Sequence, residues 1–245
     1  MPGCRSDRSL LLAGVLLLSA LALACADTAV APEDSQTPLA GTVNVYIVST
    51  DDVILNGRLF GAENDTLVIL SHMRRNDQTA WFDFAEELAG EGYAALTFNF
   101  RGYGDSQGEQ DFGKLDEDLS AAIRYMRDRG KERIFLIGAS MGGSTSLVVA
   151  AQEEVDGVVA ISAPARFEEQ EALAAVPNIT GPKLLIASID DEAALQFDDL
   201  VAAAAEPKES ASYPGKAHGT DLFKGEHAAA VRERILRFMD EHGGP

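Results

Sequence analysis

Cysteine is nearly absent from this chain of 245 residues. Its two cysteines, Cys4 and Cys25, both lie at the amino-terminal end, and no cysteine follows them. A disulfide-rich scaffold and a zinc site of the four-cysteine type are therefore excluded. The rest of the chain also has no thiol nucleophile, so any covalent chemistry there needs another side chain.

Positive charge is also scarce. The chain has 20 Lys and Arg against 39 Asp and Glu, which gives a formal net charge of −19. Phosphate backbones repel such a chain, so nucleic-acid binding is disfavoured. The same repulsion disfavours unaided adsorption to an anionic membrane surface. Hydrophobic residues make up 46% of the sequence, which is ordinary for a globular protein and argues against disorder.

A long uncharged run occurs near the amino terminus, over Leu10–Cys25. It is shorter than the roughly 20 residues that a membrane-spanning helix needs, and it has the length of the hydrophobic part of a signal peptide. The following segment is polar, contains proline and lacks periodicity, which is typical of a flexible tether. The sequence thus predicts a signal peptide over 1–25, a tether over 26–40 and one domain over 41–245.

The end of the uncharged run has two interpretations. Residues 21–25, LALAC, resemble a bacterial lipobox, in which the cysteine is lipidated and becomes amino-terminal. We therefore expect lipidation at Cys25, which would hold an exported protein on a membrane of the bacterial cell envelope despite its acidity. The alternative is ordinary cleavage after Ala24 or Ala26, which would release a soluble secreted or periplasmic protein.

Strand and helix patterns alternate after residue 41. Apolar β-branched runs predict strands, and apolar residues at spacings of three and four predict helices. The expected strands are 43–48, 53–60, 66–71, 94–100, 133–137, 155–162, 183–189 and 209–213. The expected helices are 80–91, 112–129, 141–152, 167–176, 192–205 and 227–242. This alternation predicts an α/β fold whose mostly parallel sheet is covered by helices on both faces, with the first two strands antiparallel.

The sharpest motif is Gly138-Ala139-Ser140-Met141-Gly142, which fits G-x-S-x-G. It follows an expected strand and opens an expected helix, which is the context of a nucleophile elbow. Flanking glycines avoid Cβ clashes in this tight turn, while the serine hydroxyl is exposed. The motif predicts Ser140 as a nucleophile; the alternative is a glycine-rich turn whose serine only caps the helix.

The serine motif and two earlier segments resemble the α/β-hydrolase family. Ser71-His72-Met73 is similar to the family's His-Gly turn, which carries the oxyanion loop, and residues 99–106 (NFRGYGDS) resemble its D-x-R-G-x-G-x-S stretch. The resemblance covers about residues 43–239. It implies the α/β-hydrolase fold and a serine nucleophile, followed by an acid after a later strand and a histidine near the carboxyl terminus.

The resemblance also indicates the acid and the base. The family's Gly-x-x-Asp pattern fits residues 188–191, with Ser188 in the glycine position, and selects Asp191. Asp190 is the alternative acid and otherwise a helix cap. The family places its histidine in the loop before the last helix, at His218. There His218 would take the proton of the serine and return it to the leaving group, while Asp191 orients the imidazole.

Two backbone N–H groups are expected to stabilise the oxyanion. One is that of Met141, which follows the nucleophile, and the other is that of Arg74 or Met73. Met73 stands where the family has glycine, and its bulk could distort the turn. Arg74 and Arg75 are either solvated loop residues or contacts for a substrate carboxylate, and Met73 and Arg75 are the candidate substrate contacts. No metal or organic cofactor is implied.

These observations predict a serine hydrolase that cleaves carboxylic esters of a small acyl substrate through an acyl-serine intermediate. Only residues 163–182 are available for a cap, which suggests an open site. The alternatives are a thioesterase, lactonase, amidase or acyltransferase that uses the same residues, or a non-catalytic binding protein that keeps the fold.

Overall fold

The computed structural model describes residues 41–194 and 196–245. The predicted signal peptide, the tether and the lipidation site at Cys25 lie outside these residues and stay predictions. None of the helices in the described part of the chain is both long and apolar enough to cross a membrane.

Eight strands of the described residues form a single sheet in the order β1-β2-β4-β3-β5-β6-β7-β8. The strands are β1 (Thr42–Val48), β2 (Ile54–Phe60), β3 (Leu67–Ser71), β4 (Ala94–Phe98), β5 (Ile134–Ala139), β6 (Gly157–Ile161), β7 (Lys183–Ser188) and β8 (Lys208–Tyr213). Strand β2 runs antiparallel to both of its neighbours, and every other neighbouring pair is parallel. The expected mostly parallel sheet is confirmed.

Helices cover both faces of the sheet. They are α1 (Phe82–Gly90), α2 (Leu115–Arg127), α3 (Met141–Ala150), α4 (Ala172–Ala175), α5 (Phe197–Ala203) and α6 (Ala228–Glu241). Short 3-10 turns occur at Gln78–Trp81, Phe112–Lys114, Val176–Asn178, Glu192–Ala194 and Gly219–Phe223. Alternate residues of β3 belong to two separate cores: Ile69 packs with α2 to α5, and Val68 packs with α1 and α6. Burial of apolar side chains on both faces stabilises this layered arrangement.

The helix expected over 167–176 is much shorter than predicted. Phe167 and Gln170 exchange backbone hydrogen bonds of 2.9 and 2.8 Å, which closes a tight turn with Glu168 at φ 49°. Only Ala172–Ala175 is α-helical before a 3-10 turn. The expected helix 192–205 is likewise divided into the turn Glu192–Ala194 and α5. Both segments begin after the carboxyl end of a strand, β6 or β7, at the edge of the sheet where the candidate site lies.

A buried ion-pair cluster fixes the loop of residues 99–106. Arg101 is 5% exposed and lies 2.7 Å from Asp118 and 2.7 Å from Asp51. Its guanidinium also donates to Ser49 Oγ at 3.2 Å. The cluster therefore ties this loop to α2 and to the turn between β1 and β2, and breaking one partner would leave a buried charge uncompensated.

Candidate active site

The carboxyl ends of the parallel strands surround a cavity of about 730 Å³, the central cavity. Ser140 follows β5, Asp191 lies beyond β7 and His218 lies beyond β8, and all three line this cavity. Parallel strands place their carboxyl ends at one edge of a sheet, so residues far apart in sequence meet there. The structure thus brings together the three side chains that the sequence analysis selected.

Ser140 occupies a strained turn between β5 and α3. Its backbone angles are φ 50° and ψ −113°, a region that non-glycine residues rarely occupy. A Cβ atom at Gly138 would lie 2.1 Å from the Gly142 carbonyl oxygen, and one at Gly142 would lie 2.3 Å from that of Ser71. Only glycine fits at these two positions, so the turn has the strand–turn–helix geometry that the motif predicts.

Asp191 and His218 form a close pair. His218 Nδ1 lies 2.8 Å from Asp191 Oδ2 and 3.0 Å from Oδ1, and the carboxylate is 3% exposed. An ionised carboxylate only accepts hydrogen bonds, so Nδ1 is the donor, and in a neutral imidazole Nε2 is then the acceptor. Asp191 also accepts a hydrogen bond from the Ala193 N–H at 3.1 Å. Of the two candidate acids it is Asp191 that both contacts the imidazole and caps the following turn, whereas Asp190 is exposed.

The loops after β7 and β8 are bonded to each other. Ser188 Oγ donates to the Ala217 carbonyl at 2.7 Å, the Ile189 N–H to the Tyr213 carbonyl at 2.9 Å, and the Asp190 N–H to the Gly215 carbonyl at 3.0 Å. The serine that replaces the family's glycine therefore fixes the loop that carries the histidine. The role of Ser188 could not be predicted from the local sequence, because the bond joins residues 29 positions apart.

His72 is buried at the turn after β3. Its Nδ1–H donates to the Met73 carbonyl at 2.9 Å, and its Nε2 accepts from the Phe100 N–H at 3.2 Å. Burial lowers the pKa of His72 to about 4, so the ring is neutral at neutral pH. The ring also packs against Phe100 and Tyr103, with centroids 5.1 and 4.7 Å apart. His72 therefore joins the turn after β3 to the loop after β4.

The peptide between Met73 and Arg74 has a fixed orientation. The Met73 carbonyl accepts from His72 and from the Asn76 N–H at 3.1 Å, so the Arg74 N–H of this planar trans peptide points the opposite way. Neither this N–H nor that of Met141 has a hydrogen-bond acceptor among the described residues. Both residues that were expected to supply the oxyanion donors thus carry an unpaired N–H.

The side chain of Met73 packs against the base of the histidine loop. A Cβ atom at Gly219 would lie 2.7 Å from Met73 Sδ, and Thr220 Oγ1 donates to the same sulfur at 3.9 Å. Met73 is buried, and it also lines the central cavity. The side chain of Met73 therefore fills space that Gly219 leaves open. The turn after β3 keeps the hydrogen bonds to the Met73 carbonyl.

Charged side chains surround the central cavity. Its cations are Arg74, Arg75, Arg166 and Lys216, and its carboxylates are Asp190, Asp191, Glu192 and Asp221. The Arg74 guanidinium lies 5.0 Å from the centroid of the Phe112 ring, and that ring meets Phe167 edge-on at 5.4 Å. Within the described residues, no group of His, Cys, Asp and Glu side chains is suited to hold a metal ion.

Comparisons with known proteins agree with this architecture. Residues 62–206 match the family described as serine aminopeptidase, S33. The quorum-quenching protein AidA of Acinetobacter baumannii is 33% identical over 137 residues, which are 51% of this chain and 44% of AidA. The chain thus matches less than half of the length of that relative.

Solved structures show the same fold. The esterase Pf2001 of Pyrococcus furiosus superposes with a TM-score of 0.72 at 23% identity, over 83% of this chain and 93% of that one. The α/β hydrolase GrgF of Penicillium sp. sh18 superposes with a TM-score of 0.72 at 20% identity, over 82% and 98%. At these identities the likeness shows the fold alone.

Proposed function

Because the chain belongs to the serine aminopeptidase (S33) family and has the α/β-hydrolase fold, we propose that it cleaves carboxylic esters through an acyl-serine intermediate. Ser140 is the nucleophile, His218 the general base and acid, and Asp191 the orienting carboxylate. The observation that carries this proposal is the bond between His218 Nδ1 and a nearly buried Asp191, in the same cavity as the strained serine.

The proton movements follow from the proposed roles. Nε2 of His218 accepts the Ser140 hydroxyl proton as the oxygen attacks the substrate carbonyl carbon. The imidazolium, stabilised by Asp191, then gives this proton to the departing alkoxide. Water attacks the acyl-serine in the second half-reaction, with the same imidazole as base, and releases the carboxylic acid and free Ser140.

The two unpaired N–H groups support an oxyanion site in this proposal. The negative charge of the tetrahedral intermediate needs donors that are already oriented before the reaction. The Met141 N–H lies at the first residue of α3, where a helix leaves its amide unpaired, and the Arg74 N–H is fixed by the bonds to the preceding carbonyl. Both are backbone groups, so the bulky side chain at Met73 does not remove a donor.

Active-site labelling tests the nucleophile. We expect a fluorophosphonate to add once to residues 41–245 and not to the Ser140→Ala variant, as measured by intact mass. Heat-unfolded protein is the matched control, because only a folded site activates the serine. A folded parent that is not labelled would contradict the proposal and favour a binding protein.

Matched substrates test the reaction class. We expect hydrolysis of a 4-nitrophenyl ester to exceed that of the thioester, lactone and 4-nitroanilide with the same acyl group, after correction for their uncatalysed rates. The anilide addresses peptide-like amides, which the family's description suggests. Preferential cleavage of the anilide or the thioester would overturn the ester assignment and leave the serine mechanism standing.

We further propose that the protein is exported and anchored by a lipid at Cys25. Support comes only from residues 21–25 and the uncharged run before them. In a bacterial host, the full chain should sediment with membranes and carry a lipid mass on Cys25, whereas the Cys25→Ser variant should not. A mature protein that begins with unmodified Cys25 or with Asp27 would contradict the anchor.

A further inference from the structure

We propose that Arg74 and Arg75 form a subsite that binds a carboxylate on the acyl half of the ester substrate. This inference rests on the proposed function, since it defines which ester the same site prefers. Both arginines line the central cavity and also a second cavity beside it, of about 630 Å³, the arginine cavity. The two arginines therefore lie where the two cavities meet.

The arginine cavity is cationic in a strongly acidic protein. Its charged lining residues are Arg74, Arg75 and Lys224 against the single carboxylate Asp77. Asp77 accepts hydrogen bonds from the N–H and the hydroxyl of Thr79, which leaves its negative charge in place, and the three cations outnumber it. Lys224 is paired with Asp221 at 3.0 Å. Among the described residues, the cations of this cavity that have no ion-pair partner are therefore the two arginines.

The two guanidinium groups are free to bind an anion. Arg75 has no ion-pair partner among the described residues, and Arg74 contacts the face of Phe112 rather than a carboxylate. Both side chains are exposed, so they can reach a ligand in the cavity. A planar guanidinium binds the two oxygens of a carboxylate with two parallel hydrogen bonds, which makes a carboxylate the fitting ligand.

Carboxylates dominate a part of the central cavity's lining that Arg74 and Arg75 do not share. A third cavity of about 430 Å³, the acidic cavity, shares Asp190, Asp191, Glu192 and Lys216 with it. Asp198 adds a further carboxylate, so four carboxylates face one lysine there. In the proposed mechanism Nε2 of His218 protonates the leaving group. We therefore place the leaving group beside the histidine loop, whose Lys216 also lines the acidic cavity, and the acyl half toward the arginines. A substrate carboxylate is therefore accepted on the acyl half and disfavoured on the leaving group.

Two esters that differ only in this charge test the subsite. The probes are 4-nitrophenyl hydrogen adipate and its methyl ester, 4-nitrophenyl methyl adipate. We expect kcat/KM for the anionic ester to exceed that for the neutral one by about tenfold at low salt. Arg75→Gln should lower this ratio several-fold, because only Arg74 then remains, whereas Arg237→Gln, on the exposed side of α6, should leave it unchanged.

Two results would overturn the subsite while leaving the proposed function intact. One is hydrolysis of both esters with a ratio near one in the wild-type protein. The other is a ratio that falls in Lys216→Gln and not in Arg75→Gln, since the anion would then lie on the acidic side.

A binding measurement tests the subsite even without turnover. Calorimetry with the Ser140→Ala variant should show that monomethyl adipate binds about tenfold more tightly than dimethyl adipate, and that adding Arg75→Gln reduces the difference. Equal binding of the two compounds would overturn the subsite. Absence of hydrolysis together with tighter binding of the monoester would overturn the proposed function and keep the anion site.

Discussion

At the scale of single residues, Asp191 combines two tasks. It accepts the Ala193 N–H as a turn cap, and it accepts the His218 Nδ1–H, through which it orients the imidazole in the proposed mechanism. A cap is ordinarily exchangeable among Asp, Asn, Ser and Thr, whereas orientation of the imidazole requires an acceptor with negative charge. Substitutions that keep the cap therefore separate the two tasks.

We predict that Asp191→Asn lowers kcat by about 10³- to 10⁴-fold, because an amide N–H favours the tautomer whose Nε2 cannot accept a proton. The free energy of unfolding should change little, since asparagine still caps the turn. The matched variant Asp190→Asn removes the same charge one residue away and should change kcat only a few-fold. Ester kinetics and chemical denaturation measure both effects, and equal losses of kcat in the two variants would contradict the assignment.

His72 gives a prediction about pH and stability. Its pKa falls from 6.5 to about 4 on burial, so below pH 6.5 the unfolded chain binds a proton that the folded chain does not. The free energy of unfolding should therefore fall between pH 6.5 and pH 4, by about 3 kcal/mol for this group.

Urea titrations at several pH values measure this loss. The His72→Gln variant should be less stable at neutral pH, because it cannot make both ring hydrogen bonds. It should also lose less stability than the wild-type protein on acidification. Parallel curves for the two proteins would refute the assignment of the loss to this ring.

At the scale of elements, the site depends on bonds between the ends of neighbouring strands. The ends of β7 and β8 are joined by the Ser188–Ala217 hydrogen bond, and the turns after β3 and β4 by the ring of His72. Parallel pairing brings these loops to one edge, and the cross-loop bonds then fix their relative positions. The positions of the side chains in the proposed site therefore depend on bonds between pairs of loops rather than on single loops.

We predict that Ser188→Ala costs about 1 kcal/mol of stability and lowers kcat several-fold, because it removes one hydrogen bond and loosens the loop that carries His218. The variant should also react more slowly with a fluorophosphonate. Ser210→Ala, at an exposed serine on β8, is the matched control and should behave like the wild-type protein. No difference between the two variants would mean that the Ser188 bond does not position the histidine.

The sequence predicted the elements that local pattern determines. Apolar runs predicted the first seven strands, whereas β8 is polar and was expected only as a short strand over 209–213. The G-x-S-x-G motif predicted the turn at Ser140, because its glycines are sterically required. The helix expected at 167–176 is present only over Ala172–Ala175, since the reciprocal bonds between Phe167 and Gln170 close a turn before it. The role of Ser188 and the orientation of the Arg74 amide depend on contacts between distant loops, which no local pattern contains.

At the scale of the whole molecule, the two edges of the sheet have different roles. The central, arginine and acidic cavities all involve loops that follow the carboxyl ends of strands. The first described residues lie at the opposite edge. Thr42, the first residue of β1, pairs with Phe60 of β2, and Phe60 pairs with Ala95 near the start of β4. The last residues also lie there, where the Gly244 carbonyl accepts from Thr66, just before β3.

We predict that immobilising the domain on a bead through either end leaves kcat/KM for a soluble ester within about twofold of its value in solution. Attachment through a cysteine introduced at Lys216 is the matched control and should hinder entry to the cavity. A strong loss on attachment through the ends would contradict this assignment of the two edges.

Because both ends lie at the amino edge of the sheet, a domain attached through either end has the same orientation. A support that holds it by Thr42 or by Gly244 meets the amino edge of the sheet, so the mouth of the cavity opens toward the surrounding medium. A molecule fixed in this way acts on substrates that diffuse in the medium, rather than on groups of the surface that holds it.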